Sequence, residues 1–127
     1  MMKKGIAATL VEMGLVKSRE QINKEREKGL ASLKVLLPAA QGHSGQSRVI
    51  AHFLLCLYNG DRFKFDLTDF RSLDTELMEH CLNVLRMDAN PEKEVHKYFE
   101  NGQKIWEGMA EDYRFIDYEK LMQFNEK

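Results

Sequence analysis

Ten consecutive residues, Val49–Tyr58 (VIAHFLLCLY), are apolar nearly all the way round a helix, with only His52 interrupting them. A helix without a polar face has to be enclosed by other elements, so this run reads as the central buried helix of a bundle. Its limits are signalled locally: Ser44 or Ser47 offers a hydroxyl to cap the start, and Asn59-Gly60 reads as a left-handed glycine stop. A chain of 127 residues can build one real core around such a helix, but not two.

The flanking sequence supplies partners for it. Ser18 followed by Gln21 is a capping-box pattern, which predicts a helix from about Arg19. Its first half, through KEREK, is solvated, and Leu30, Leu33, Leu36 and Leu37 dock its second half. Pro38 should end or kink it. Beyond the central helix, Phe63, Phe65 and Leu67 alternate with Arg62, Lys64 and Asp66, the period of a half-buried strand. No second run exists for it to pair with, so it reads as an extended connector, or as an edge pairing with its own copy in a dimer. Thr68 can cap a single turn over Asp69–Ser72. Asp74 caps the next helix, whose stripe of Leu77, Met78, Cys81, Leu82, Val84 and Leu85 should pack on the central helix. Asn90-Pro91-Glu92 is a helix start. Val95, Phe99, Gly102, Trp106, Met109 and Tyr113 then follow at spacings of four and three, favouring one helix from Pro91 to Tyr113 with Gly102 admitting a neighbouring backbone. Asn101-Gly102 argues for a break. Ile6–Val16 is a short, weakly amphipathic helix, and Ile116–Phe124 can add a last short one.

Charged residues are 31% and apolar ones 43% of the chain, the balance of a globular protein rather than a disordered one. No span approaches the roughly 18 apolar residues of a membrane helix. The opening residues resemble a secretory signal only until Glu12 breaks the run, so a cytoplasmic protein is expected. The formal charge of -1 is uneven: residues 1–46 hold eight basic and four acidic residues, the rest eleven and sixteen. The basic arm, with Lys17, Arg19, Lys24, Arg26 and Lys28 and helped by Arg48, could attract nucleic acid. It lacks stacking aromatics and a dense cationic block. It could equally lie on an acidic surface of its own chain or of a neighbour.

No arrangement of residues demands a particular chemistry. AAQGHSGQS lacks the GK[ST] ending and preceding strand of a phosphate loop. His52, Cys56, His80, Cys81, Glu94 and His96 are atom types that zinc accepts, but there is no CxxC or HExxH, and neighbours on a helix project about 100 degrees apart. Cys56 near a helix C-terminus and Cys81 on an apolar stripe are poorly placed as nucleophiles and read as reduced core residues. Of the carboxylates Asp66, Asp69 and Asp74, two have turn or cap roles. Trp106, Tyr98, Phe99 and Tyr113 form an aromatic concentration that fits a core or an interface anchor.

The motifs GQSRVIAHFLL, YNGDRFKFDLTDFRSLD, VLRMD and EVHKYFENG, spread over Leu30 to Tyr113, resemble an uncharacterised family of small proteins from proteobacterial plasmids, phages and integrated elements. The resemblance implies an accessory-genome setting and brings no activity with it.

The expected architecture is therefore all-α: a single-domain bundle of about five helices with one short extended connector, residues 18–127, preceded by a flexible or weakly helical arm over residues 1–17. The expected function is non-enzymatic protein binding or regulation for a mobile element, without cofactor or metal. Partner contacts are expected at Arg62, Phe63, Lys64, Phe65 and Trp106, with a homodimer through the connector or the Trp106 seam as one form. Nucleic-acid binding by the basic arm is the first alternative, and a small metal-assisted hydrolase at His52, His80 and His96 the second.

Overall fold

The structure, a computed structural model, describes residues 5–125. It is all-helical there, but with six α-helices and two 3-10 turns rather than about five helices: α1 (Ile6–Glu12), α2 (Arg19–Ala40), α3 (Gly45–Tyr58), a 3-10 turn (Leu67–Ser72), α4 (Thr75–Ala89), a second 3-10 turn (Val95–Tyr98), α5 (Gly102–Tyr113) and α6 (Tyr118–Asn125). None of these helices is long and apolar enough to cross a membrane.

The helices α2, α3 and α4 each start where a short polar side chain meets their free N–H groups. Ser18 Oγ accepts from Gln21 N at 3.1 Å, Ser44 Oγ from Ser47 N at 3.0 Å, and Asp74 Oδ1 from Leu77 N at 2.8 Å. Pro38 does not end α2, which runs two residues further. In the last turn a proline removes one bond only, and burial of Leu36, Leu37 and Ala40 offsets that loss. The stop of α3 is also not a left-handed glycine: Asn59 is extended and its Oδ1 accepts from the N–H groups of Asp61 and Arg62, at 3.2 Å each. Asp66, not Thr68, caps the first 3-10 turn, accepting from Thr68 N at 2.9 Å and from its hydroxyl at 2.8 Å.

The helices neighbour one another in the order α4, α2, α3, α5. The α4 stripe therefore packs on α2, not on the central helix as its breadth suggested, and Leu85 of that stripe is left 41% exposed. The two run antiparallel: Arg26 Nε donates to Asn90 O at 3.0 Å near one end, and Ser32 Oγ lies 2.8 Å from His80 Nδ1 and accepts from Asn83 Nδ2 at 3.0 Å further along. Gly29 makes the crossing close, since a Cβ there would lie 2.3 Å from that of Met87. On the other side of α3, Trp106 of α5 is fully buried and donates to Leu54 O at 3.1 Å. One core joins all four helices with Phe63, Cys81 and Val95.

Pro91–Tyr113 is not one helix. Residues 91–94 are irregular, a 3-10 turn covers Val95–Tyr98, and Asn101 takes a left-handed conformation at φ 58° before α5 begins. The heptad spacing survives the break because the residues on it still face the core: Val95, Gly102, Trp106 and Met109 are all buried. Gly102 does admit another backbone, that of His96, whose carbonyl oxygen would lie 1.7 Å from a Cβ.

Candidate functional site

The connector between α3 and the first 3-10 turn carries the most heavily bonded side chain of the described residues. The Asn59 turn delivers Arg62 to the space between α5 and the start of α6, over the ring of Phe63 at 4.8 Å. Its guanidinium donates to Glu107 from Nη1 (2.7 Å) and Nη2 (2.8 Å), and to Asp117 Oδ2 from Nε (3.0 Å) and Nη2 (2.8 Å). The Tyr58 hydroxyl donates to the same Glu107. Such planar, two-pronged pairing is strong and directional.

The charges respond accordingly. Hydrogen bonds from Arg62 hold the Glu107 carboxyl below its ordinary range, against some desolvation. Burial pushes Asp117 up, but its bonds from Arg62 and from the backbone N–H groups of Lys120 and Glu119 outweigh that and leave it lowered. The Arg62 pKa is raised further, first by its bonds to Glu107.

Asp117 also serves a second purpose. Its Oδ1 accepts from the N–H groups of Glu119 (3.1 Å) and Lys120 (3.3 Å), capping α6, while Tyr118 N donates to Arg62 O at 2.8 Å. Just before it, Arg114 ends α5 in a left-handed conformation at φ 57°, and Phe115 turns back to stack on His52 at 4.3 Å, with the Arg48 guanidinium 4.5 Å from its ring. The first turn of α6 is thus fixed to the core. The helix itself buries nothing: Leu121 is 44% exposed, Met122 61% and Phe124 75%. Between α5 and α6 lies a cleft of about 670 Å³, floored by Phe63, Ala110 and Phe115 and rimmed by Glu111, Arg114 and Lys120.

The five residues expected to meet a partner are not gathered on one surface. Phe63 and Trp106 are 1% and 0% exposed and belong to the core. Arg62 is committed to Glu107 and Asp117. Phe65 is half-buried between Phe53, His52 and Phe70. Lys64 is exposed, and its ammonium donates to Gly60 O at 2.8 Å. The connector is extended without strand pairing among the described residues, and its alternation fails at Leu67, which is exposed.

In the basic arm, charges are interleaved with partners. Lys17 contacts Glu25 at 2.6 Å, Lys24 lies 3.5 Å from Glu20, Arg26 bonds Asn90 O, and Arg48 donates to Tyr113 O at 2.8 Å. Arg19 and Lys28 are exposed. The three histidines lie in different settings. His52 is against Phe115, and burial, ahead of the Asp69 charge that opposes it, lowers its pKa. His80 faces Ser32. His96 packs edge-on to Tyr58, with Nδ1 buried and without a hydrogen-bond partner. No three His, Cys, Asp or Glu side chains among the described residues are grouped to hold a metal ion. Cys81 is buried, and desolvation pushes its thiol up to about 12, while Cys56 is half-buried. Both are free thiols.

Sequence reading passed over α6 as a surface. Its signal was present in the spacing of Tyr118, Leu121 and Met122, which share one helical face. Nothing local shows that the face stays uncovered.

Residues 30–114 match the family of unknown function DUF7673, and the chain belongs to that family. The match ends at Arg114, so α1, the first part of α2 and α6 lie outside it. No curated protein and no solved structure matches the chain.

Proposed function

We propose that this chain is a non-enzymatic accessory protein of a mobile genetic element, acting in the cytoplasm by binding another protein through α6 and the adjoining cleft. The observation that carries this reading is the contrast within α6: Asp117 and Tyr118 anchor its start to Arg62, yet Leu121, Met122 and Phe124 stay in water. An exposed apolar face on an anchored helix is the usual form of a docking surface. Covering it gains about 25 cal/mol per Å² of apolar area, and little order need be imposed on the helix first. The mobile-element setting rests on the motifs from GQSRVIAHFLL to EVHKYFENG.

The test is capture from a host extract by the chain and by a Leu121→Asp/Phe124→Asp variant. A partner retained by the first and lost by the second, with the melting temperature of the two alike, supports the reading. Equal capture by both removes α6 as the docking surface.

Nucleic-acid binding is supported less, by exposed Arg19, Lys24 and Lys28, with Glu20 and Glu27 beside them on the same helix. Retention on a DNA column at low salt, falling steeply as salt rises, is its signature.

A further inference from the structure

We propose that the stack of His52 on Phe115 is an acid-sensitive latch on the turn from α5 into α6, closed while the imidazole is neutral and released when the ring takes a second proton. How that turn is held is a separate matter from what α6 docks.

The turn is four residues long, 114–117, and hangs on few contacts. Arg114 leaves α5 in a left-handed conformation, Phe115 N donates to Ala110 O at 3.1 Å, and Tyr118 N donates to Arg62 O. Of the first three side chains Phe115 alone is half-buried, Arg114 and Ile116 being exposed. Its ring lies within 15° of parallel to the His52 imidazole, with 4.3 Å between centres, and 5.4 Å from the ring of Tyr113. Phe65 of the connector meets the imidazole edge-on at 5.7 Å. His52 is thus the part of α3 on which the turn rests.

The surroundings favour the neutral imidazole. Two phenyl rings displace water from it, which disfavours the charged form. Arg48 stands one helical turn earlier on the same face. It is held there by its bond to Tyr113 O, with its guanidinium 4.5 Å from the centre of the same Phe115 ring. A proton on His52 therefore sets a second cation against a ring that Arg48 already occupies. From the 3-10 turn the Asp69 carboxylate opposes this, by charge and without a hydrogen bond, and the Lys64 backbone supplies a hydrogen bond from the connector. The Lys64 ammonium itself is engaged by Gly60 O. Burial outweighs Asp69 and the Lys64 bond, Arg48 adds to it, and the His52 pKa is left below its ordinary 6.5.

Linkage then gives the sign. A histidine whose pKa is lowered in the closed state stabilises that state fully above the open-state value of 6.5, and the contribution is lost as pH falls through the lowered one. Opening of the turn gains at most about tenfold per pH unit in that window. The Arg62 clamp titrates on Glu107 and Asp117, both held below 4.5, so it still holds the start of α6 while the latch opens.

The experiment is hydrogen exchange at the Phe115 amide from about pH 7 to about pH 5, corrected for the intrinsic pH dependence of exchange. Protection is expected to fall severalfold in the wild type, while the Trp106 indole N–H, bonded to Leu54 O inside the core, stays protected. In His52→Phe, which keeps a ring on Phe115 and takes no proton, protection should stay level. Asp69→Asn removes the charge that opposes the latch and should deepen the fall. Level protection at Phe115 in the wild type, an equal fall in His52→Phe, a shallower fall in Asp69→Asn, or a fall shared by the Trp106 N–H overturns the latch. If His52→Phe does not fold, the Asp69→Asn comparison decides, together with the titration of the His52 imidazole in the folded chain, where a midpoint at or above 6.5 overturns it as well.

Discussion

At Gly102 a single hydrogen atom decides whether the chain closes. A methyl group there would meet the His96 carbonyl oxygen at 1.7 Å, a backbone atom that cannot swing aside. Gly102→Ala should therefore cost about 3 kcal/mol, read as a lower urea midpoint, whereas Gly108→Ala, with no atom within 4 Å of its Cβ, should raise the midpoint slightly through helix propensity. A drop at Gly108 as large as at Gly102 would show that propensity and not the close approach governs both. The thiols divide in the same single-residue way. Cys81 is fully buried with its thiolate disfavoured, and Cys56 is partly open. Iodoacetamide at neutral pH should label one thiol, Cys56, in the native chain and two in denaturant; rapid double labelling of folded protein would contradict the burial of Cys81. At this scale the sequence was readable where the cause is local: Ser18 and Asp74 cap what they seemed to cap, and of the two serines offered for the central helix Ser44 is the one that does. It was unreadable at Asn59 and Asp66, because any of several neighbouring polar residues could have made the same turn.

At the scale of elements, the Arg62 clamp decides where α6 points. Arg62→Met should leave Glu107 and Asp117 without their shared cation and cost about 2 kcal/mol, discounted from a fully buried pair because Glu107 is 38% exposed. The same clamp sets an acid limit. Both carboxyls are held below their ordinary values of 4.5 and 3.8, so their contribution is complete above those values and is lost as pH falls through the lowered folded ones. Unfolding midpoints should fall between about pH 4.5 and pH 3 in the wild type, and over that interval fall less in Arg62→Met. Equal slopes in the two would remove the clamp as the acid-sensitive element. None of this was legible beforehand, since Arg62 meets partners 45 and 55 residues away and an alternating FKF pattern describes only which side faces inward. The Pro91–Tyr113 segment failed for a related reason. Its spacing records which residues are buried, and that record is the same whether they ride on one helix or on a turn and a shorter helix.

At the scale of the whole molecule, the fold is one core with a short helix, α1 and α6, on either side of it in the chain, neither of which adds a buried residue to it. Removing residues 1–15, which leaves the Lys17–Glu25 contact and the Ser18 cap in place, should shift the melting temperature by less than about 2 °C. A larger drop would mean that α1 packs on its own chain. The all-α class and the single core followed from the Val49–Tyr58 run and from the broad stripes around it. Which stripe meets which did not, because apolar faces are interchangeable until shape and a few polar groups discriminate among them.

Ser32 shows how that discrimination is made. It is 2% exposed, midway along α2, with His80 and Asn83 of α4 converging on its hydroxyl. Sliding α4 by one turn, about 5.4 Å, would leave every leucine of the seam in oil and strand all three polar groups. The triad works as an index mark between two greasy rods: it adds little to how tightly they hold and fixes which rung meets which. Among members of the family these three positions should therefore vary together, changing as a set to apolar residues only where some other contact takes over the task of keeping the rods in step.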